Sequence, residues 1–295
     1  MDLASLAALV TAFCWALSGL FAIYPVQQLG ALAFNRLRMQ IVFVVLLLIT
    51  LLTGSWRTLD SSHIAALLLS GAVGILLSDS FLYVALHRLG PRRNAVLFST
   101  HAPMTALLGF FILDERLNAI AIAGIALVVI GVIFAILFGQ RRSRKHLWEK
   151  VRGSLAIGII IALCAALCHS VSALIVRPVM SAGVDPVAAS TVRVSAAVLA
   201  FTLAGFIPSW RGKPNISWRI LAQSAASGLV GMGVGMTCLM FALAYGKTGL
   251  VATLSSVTPV MILPLLWILT KERPAAGAWF GALLAVAGIA CIINH

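Results

Sequence analysis

Three ionisable side chains stand in the middle of long apolar runs, Asp79, His101 and His169. If those runs cross a bilayer, each such group costs about 2.5–3.5 kcal/mol to insert and needs a compensating role. Asp79 shares a helical face with Tyr83 one turn on, His101 with Phe98 and Thr105, and His169 with Ser172. Thr11, Trp15 and Ser18 form a similar stripe in the first run. This grouping suits a polar, aromatic cavity in which Trp15, Asp79, Tyr83, Phe98, His101, His169 and Ser172 contact a small molecule. Asp79 would pair with a substrate ammonium or take up a proton, because no fixed cation is evident beside it in the sequence. His101 and His169 would supply hydrogen bonds or relay that proton. The competing reading is that Asp79 and a histidine pair only with each other and hold helices together, and that Trp15 merely packs or faces lipid.

Other chemistry finds little footing. A membrane-embedded enzyme needs paired acids, a nucleophile or a metal cluster, and Asp79 is the only acid in mid-span. Cys14, Cys164, Cys168, Cys238 and Cys291 all fall inside apolar runs without a Cys-x-x-Cys pair, so they read as small buried hydrophobes. Gly228, Gly231, Gly233 and Gly235 follow no strand and serve close helix packing rather than phosphate binding. No catalytic residue, metal ligand or cofactor is expected. Pro103, Pro259 and Pro264 interrupt their helices and are hinge candidates, since the carbonyl each one frees is tolerated in lipid where it is buried or lines a cavity. Glu115 and Glu272, beside Arg116 and Arg273 at helix ends, read as structural: they cap the following helix or pair across an interface.

The elements that hold these residues must be membrane spans. Of the 295 residues 61% are hydrophobic and 10% charged, with mean hydropathy +1.07, whereas soluble domains carry about 25% charged residues. Runs of about 20 apolar residues occur at Leu3–Ile23, Ala31–Thr53, Ile64–Leu86, Asn94–Leu113, Leu117–Phe138, Ser154–Val176, Val187–Ile207, Ile220–Ala242, Leu250–Leu269 and Ala275–Ile293. The first run has no basic segment before it and reads as a retained span, not a cleaved signal. The net charge of +13 lies in short connections rather than on one helical face, which points to lipid headgroups and topology and away from nucleic acid.

The chain repeats itself. Glu115 is followed by Gly124 and Gly131 at the same spacings at which Glu272 is followed by Gly281 and Gly288. Ser99-Thr100-His101-Ala102-Pro103 aligns with Ser255-Ser256-Val257-Thr258-Pro259, and Gly71, Gly74 and Ala85 recur at a constant offset as Gly228, Gly231 and Ala242. Arg38 and Arg193 open the second and seventh spans. The expected organisation is residues 1–138, a basic linker at 139–153, and residues 154–295. Five spans per half make the second copy enter the bilayer upside down. Sixteen of the 21 Lys and Arg residues fall on the side of the odd-to-even connections. The positive-inside rule puts that side in the cytoplasm and both termini outside, in the periplasm of a bacterial inner membrane.

The terminal Glu of spans 4 and 9, the glycines of the following span, the mid-helix Pro and the early Arg of spans 2 and 7 resemble the drug/metabolite transporter superfamily. Within it they resemble the ten-helix type with two EamA repeats. The resemblance covers essentially the whole chain. It implies an all-α membrane fold of two inverted five-helix repeats, with helices 1, 3, 4, 6, 8 and 9 around a central cavity and helices 5 and 10 at the ends of the bundle. It also implies a secondary transporter or facilitator of small organic metabolites, with amino-acid exporters, including an aromatic branch, as the leading expectation. Multidrug and sugar or nucleotide-type substrates are the alternatives. The partners expected are a small-molecule substrate and lipid, with the protein a monomer or weak oligomer. The four-helix members use a membrane-embedded Glu in the first helix. Spans 1 and 6 here contain no Asp or Glu, so that mechanism does not transfer.

Overall fold

The computed structural model describes residues 2–89, 94, 97–138, 153–204, 216–270 and 275–293. Among them there is no strand. The helices are α1 (Leu3–Leu29), α2 (Ala31–Thr53), α3 (Ser61–Gly71, a π-helical stretch Ala72–Leu77, then Ser78–Leu89), α4 (His101–Leu113) and α5 (Ala119–Phe138). The second half follows with α6 (Leu155–Ser181), α7 (Pro186–Ala204), α8 (Trp218–Gly228, a π-helical stretch Leu229–Gly235, then Met236–Tyr245), α9 (Thr248–Ser255 and Thr258–Thr270) and α10 (Ala276–Ile293). Six of these are long and apolar enough to cross a membrane, and Leu97–Leu113, Ala119–Phe134 and Ala276–Cys291 are shorter apolar helices. The tenth, α9, is broken after Ser255 and so comes as two short pieces. Most of the linker at 139–153, together with Glu272 and Arg273, lies outside the described residues.

The two largest extensions beyond the apolar pattern are at the C-terminal ends of α1 and α6. α1 continues to Leu29 through Pro25, and α6 to Ser181 through Pro178. A proline inside a helix removes one hydrogen bond without ending it when neighbouring helices hold the chain in place. Helix starts are capped by side chains: Asp2 accepts from the Ser5 amide, Asp60 from His63 and Ser217 from Ile220.

Lipid offers no hydrophobic drive for helices to associate, so small residues that let backbones approach must supply it by packing. α1 buries Ala4, Ala8, Ala12 and Ala16, one residue per turn. α6 buries Gly158, Ala162, Ala166 and Ser170 at the equivalent places. The outer surface is apolar, with Leu52, Phe111 and Ile268 mostly exposed to what must be acyl chains.

The halves interlock reciprocally. Ser18 of α1 bonds the Ser227 hydroxyl and carbonyl of α8 at 3.0 and 2.8 Å. Ser172 of α6 meets the Ser70 hydroxyl of α3 at 2.9 Å and its carbonyl at 2.8 Å. The same exchange joins α2 to α7, through Thr50 and Thr191 at 2.7 Å, and α5 to α10, where Gly131 and Gly288 each face the other helix's backbone. Contacts that swap halves in this way are those of a pseudo-twofold axis. With five helices per half, that axis lies in the membrane plane.

Candidate functional site

Among the described residues, four interruptions within the spans form two equivalent pairs. The π-helical stretches of α3 and α8 start at matching positions, directly after Gly71 and Gly228. π-bulges re-aim side chains and are frequent at functional sites. The chain also breaks at Thr100, before α4, and at Ser256–Val257, within α9. Pro103 and Pro259 follow these breaks in the first turn of the next helix, where a missing N–H is tolerated. Pro259 cannot bond the Ser255 carbonyl, and the Thr258 hydroxyl takes that acceptor at 3.0 Å. Thr100 and Ser256 likewise bond carbonyls three residues back, at 2.6 and 2.7 Å.

These four irregular segments surround one cavity of about 350 Å³, within the range of small-ligand sites. Trp15, Asp79, Tyr83, Phe98, His101 and His169 all line it. One wall is aromatic: the His101 and His169 rings are 4.8 Å apart, Phe98 lies 5.1 and 5.5 Å from them, and Trp15 lies 5.8 Å from His169. The Trp15 indole donates to the Gly231 carbonyl at 3.2 Å, which fixes its plane. His101 is 2% exposed and its Nδ1 has no protein partner. The cavity runs from mid-bundle past Ala22, Leu86 and Asn94, toward the end that carries the α1–α2 and α3–α4 connections.

The cavity lining is also charged, and here the expectation for Asp79 needs correction. A fixed cation does stand beside it: Arg38 Nη2 lies 3.3 Å from Asp79 Oδ2 and 2.7 Å from Asn35 Oδ1. The charge count places Arg38 and Arg193 with the connections, at the starts of spans 2 and 7. Both are buried, at 5% and 3% exposure, and both line the cavity. Long guanidinium side chains thus carry α2 and α7 into a site expected from six helices only. The signal was present in the sequence: each Arg sits within its apolar run, at the same place in both repeats.

Other expectations shift as well. Ser172 does not line the cavity; it joins α6 to Ser70 and holds Arg193 Nη2 at 3.0 Å. Thr105 bonds the His101 carbonyl, and Thr11 bonds the Gly235 carbonyl of α8. Pro264 lies within an unbroken stretch of α9, with its ring exposed, so no break hinges on it. Glu115 caps the other half of the protein rather than α5, whose first turn is capped by Asn118. Its carboxylate accepts from the Thr248 amide and hydroxyl at 2.7 and 2.8 Å, at the start of α9, and lies 3.6 Å from Arg177. This latch joins α4, α6 and α9 at the end of the bundle away from the cavity's reach. Glu115→Ala is expected to lower the unfolding free energy by about 1.5–3 kcal/mol. Thermal unfolding in detergent checks this, and an unchanged transition would mean the latch carries no load.

A duplicated helical bundle with a polar cavity at matched helix irregularities is the architecture of a membrane transporter. The EamA-like transporter family model matches residues 2–137 and 156–294. The chain therefore belongs to the EamA-like transporter family, a multi-pass membrane protein of two EamA repeats that moves small metabolites and is not an enzyme. A solved structure described only as "Crystal structure of protein" superposes with TM-score 0.80 at 18% identity, over 98% of this chain and 95% of that one. At that identity the likeness shows the fold alone. The curated proteins contain no match to this sequence.

Proposed function

We propose that this protein exports small amino-acid-like metabolites, aromatic ones included, across a bacterial cytoplasmic membrane by alternating access. The observation that carries this reading is one cavity lined both by the rings of Trp15, Phe98, His101 and His169 and by the charged groups of Arg38, Asp79 and Arg193. An aromatic side chain stacks on the rings at the 4.5–7 Å separations typical of ring pairs, while the polar end of the molecule meets the charged groups. Tyr83 completes the polar side. Asp79, with His101 or His169, is the proposed proton-coupling site, and Pro103 and Pro259 with their adjacent breaks are the proposed hinges.

Orientation follows from charge. With the buried Arg38 and Arg193 removed from the count, fifteen basic residues stand on the side of the odd-to-even connections and four on the other. That side is proposed to be cytoplasmic, with both termini periplasmic. The cavity then faces the cytoplasm, and the Glu115 latch closes the periplasmic end. Cysteines placed in the 139–153 linker should resist an impermeant thiol reagent in intact cells, and rapid labelling there would reverse the orientation. The transport reading is tested in proteoliposomes by uptake of labelled amino acids, sugars and nucleosides. Movement of aromatic amino acids is expected, and movement of sugars alone would overturn the substrate class.

A further inference from the structure

The two repeats treat their equivalent arginines differently. Arg38 has a carboxylate, Asp79, at 3.3 Å. The residue of α8 that matches Asp79 at the offset of Gly71 to Gly228 is Met236. Arg193 therefore meets thioethers where Arg38 meets an acid. Its Nη1 lies 3.5 Å from Met236 Sδ and 3.0 Å from Met240 Sδ, and its Nη2 lies 3.0 Å from Ser172 Oγ. Its Nε has no hydrogen-bond partner. Among the described residues no carboxylate lies within ion-pair distance of it. Asp79 is near enough for its charge to be felt there, but its ion pair is made with Arg38. Among the described lining residues Asp79 is also the one acid, against two arginines. The cavity thus carries one uncompensated positive charge, 3% exposed.

A buried guanidinium without a counter-ion is costly unless something supplies the charge. Thioether sulfur is a weak acceptor and cannot do so. The fork of N–H donors on Arg matches a carboxylate in a two-point contact. Gly74 lets α3 close on this pair: a Cβ there would lie 2.1 Å from Ser172 Oγ and 3.2 Å from Arg193 Nη2.

We infer that Arg193 is the carboxylate-binding group of this cavity and that Met236, by standing where a fixed acid would stand, leaves that charge for the ligand to neutralise. The inference rests on the cavity being the substrate site. It deepens that reading by favouring molecules that present a carboxylate and disfavouring purely cationic ones.

The test uses the full-length protein in detergent with two ring-bearing probes of nearly equal shape, indole-3-acetate and indole-3-acetamide. Calorimetric titration and ligand-induced shifts in unfolding temperature read the binding. The wild type is expected to bind the carboxylate about tenfold or more tighter than the amide, a charge-assisted difference. Arg193→Gln should lose that preference while keeping weak, equal binding of both probes. Met236→Asp should rebuild the Arg38–Asp79 arrangement in the second repeat. It is expected to unfold at a higher temperature than wild type without ligand and to lose the carboxylate preference, an outcome that a folding defect cannot imitate. Equal response of the wild type to acid and amide, including none to either, would overturn the inference. Retention of the preference in Arg193→Gln, or in Met236→Asp, would do the same. If the preference is found but no amino acid moves in proteoliposomes, the substrate reading fails and the carboxylate site stands.

Discussion

Asp79→Asn should slow transport by about tenfold or more, equivalent to about 1.4 kcal/mol of lost barrier stabilisation. The side chain keeps its shape and loses its charge, so the Arg38 guanidinium, 6% exposed, is left without its ion pair. For a fully buried pair that loss is worth about 3–5 kcal/mol of stability. Less is expected here, because the Asp79 side chain is 21% exposed at the cavity wall. A second variant separates the two effects. Arg38→Gln combined with Asp79→Asn removes both charges and should recover most of the stability. Transport by this double variant should remain slow if Asp79 meets the substrate or a proton. Initial rates from about pH 5.5 to 8, a window that contains the ordinary imidazole pKa, should lose their pH dependence in both variants. A double variant that transports at the wild-type rate would reduce Asp79 to a structural partner of Arg38, and the site would then rest on the neutral residues and Arg193.

The second large effect is steric, and it differs between two glycines that the repeat makes equivalent. A Cβ at Gly71 would lie 2.2 Å from the Arg193 carbonyl oxygen and 2.8 Å from its Cα, which are backbone atoms of α7 that cannot move alone. A Cβ at Gly228 would meet Val42 Cγ2 at 2.7 Å and Arg38 Cγ at 2.9 Å, side-chain atoms that can rotate away, with the Arg38 carbonyl at 3.2 Å. Gly71→Ala must therefore push α3 from α7 at the level of the cavity. Overpacking costs about 1–3 kcal/mol, and more where backbone must shift. Gly71→Ala is expected at or beyond the top of that range and Gly228→Ala near its bottom. Thermal unfolding of the two purified variants decides this. Equal losses would mean that the helices separate with equal ease in both repeats.

Composition and the ordered recurrence of Glu115 and Glu272 with their following glycines made the duplicated helical bundle legible, because apolar length and small-residue spacing are properties of the chain itself. Asp79, His101 and His169 were legible too, since an ionisable residue in an apolar run stands out whatever it touches. The partners were not. That Arg38 belongs to Asp79 depends on how α2 crosses α3, and a sequence read as alternating spans and connections assigns an arginine near a span's start to the surface. Ser172 shares a face with His169, yet it points into the contact with Ser70 because the half-by-half interlock, invisible from one helix, turns that edge of α6 toward α3. Pro264 looked like Pro103 and Pro259. Only the latter two follow a break, and nothing in the residue type distinguishes a proline that opens a helix from one carried on its outer face.

The central claim is that substrate passes through the cavity between the two repeats. Ala22 lines it on α1. In a background with the five native cysteines replaced by alanine or serine, Ala22→Cys offers a single reactive position there. The rate at which a thiosulfonate reagent modifies it is to be measured in proteoliposomes with and without tryptophan, alongside labelled tryptophan uptake. Substrate at about ten times its dissociation constant should slow modification by about tenfold, and the modified protein should no longer transport. Modification at the same rate with and without tryptophan, in protein that still transports after labelling, would place the route elsewhere in the bundle.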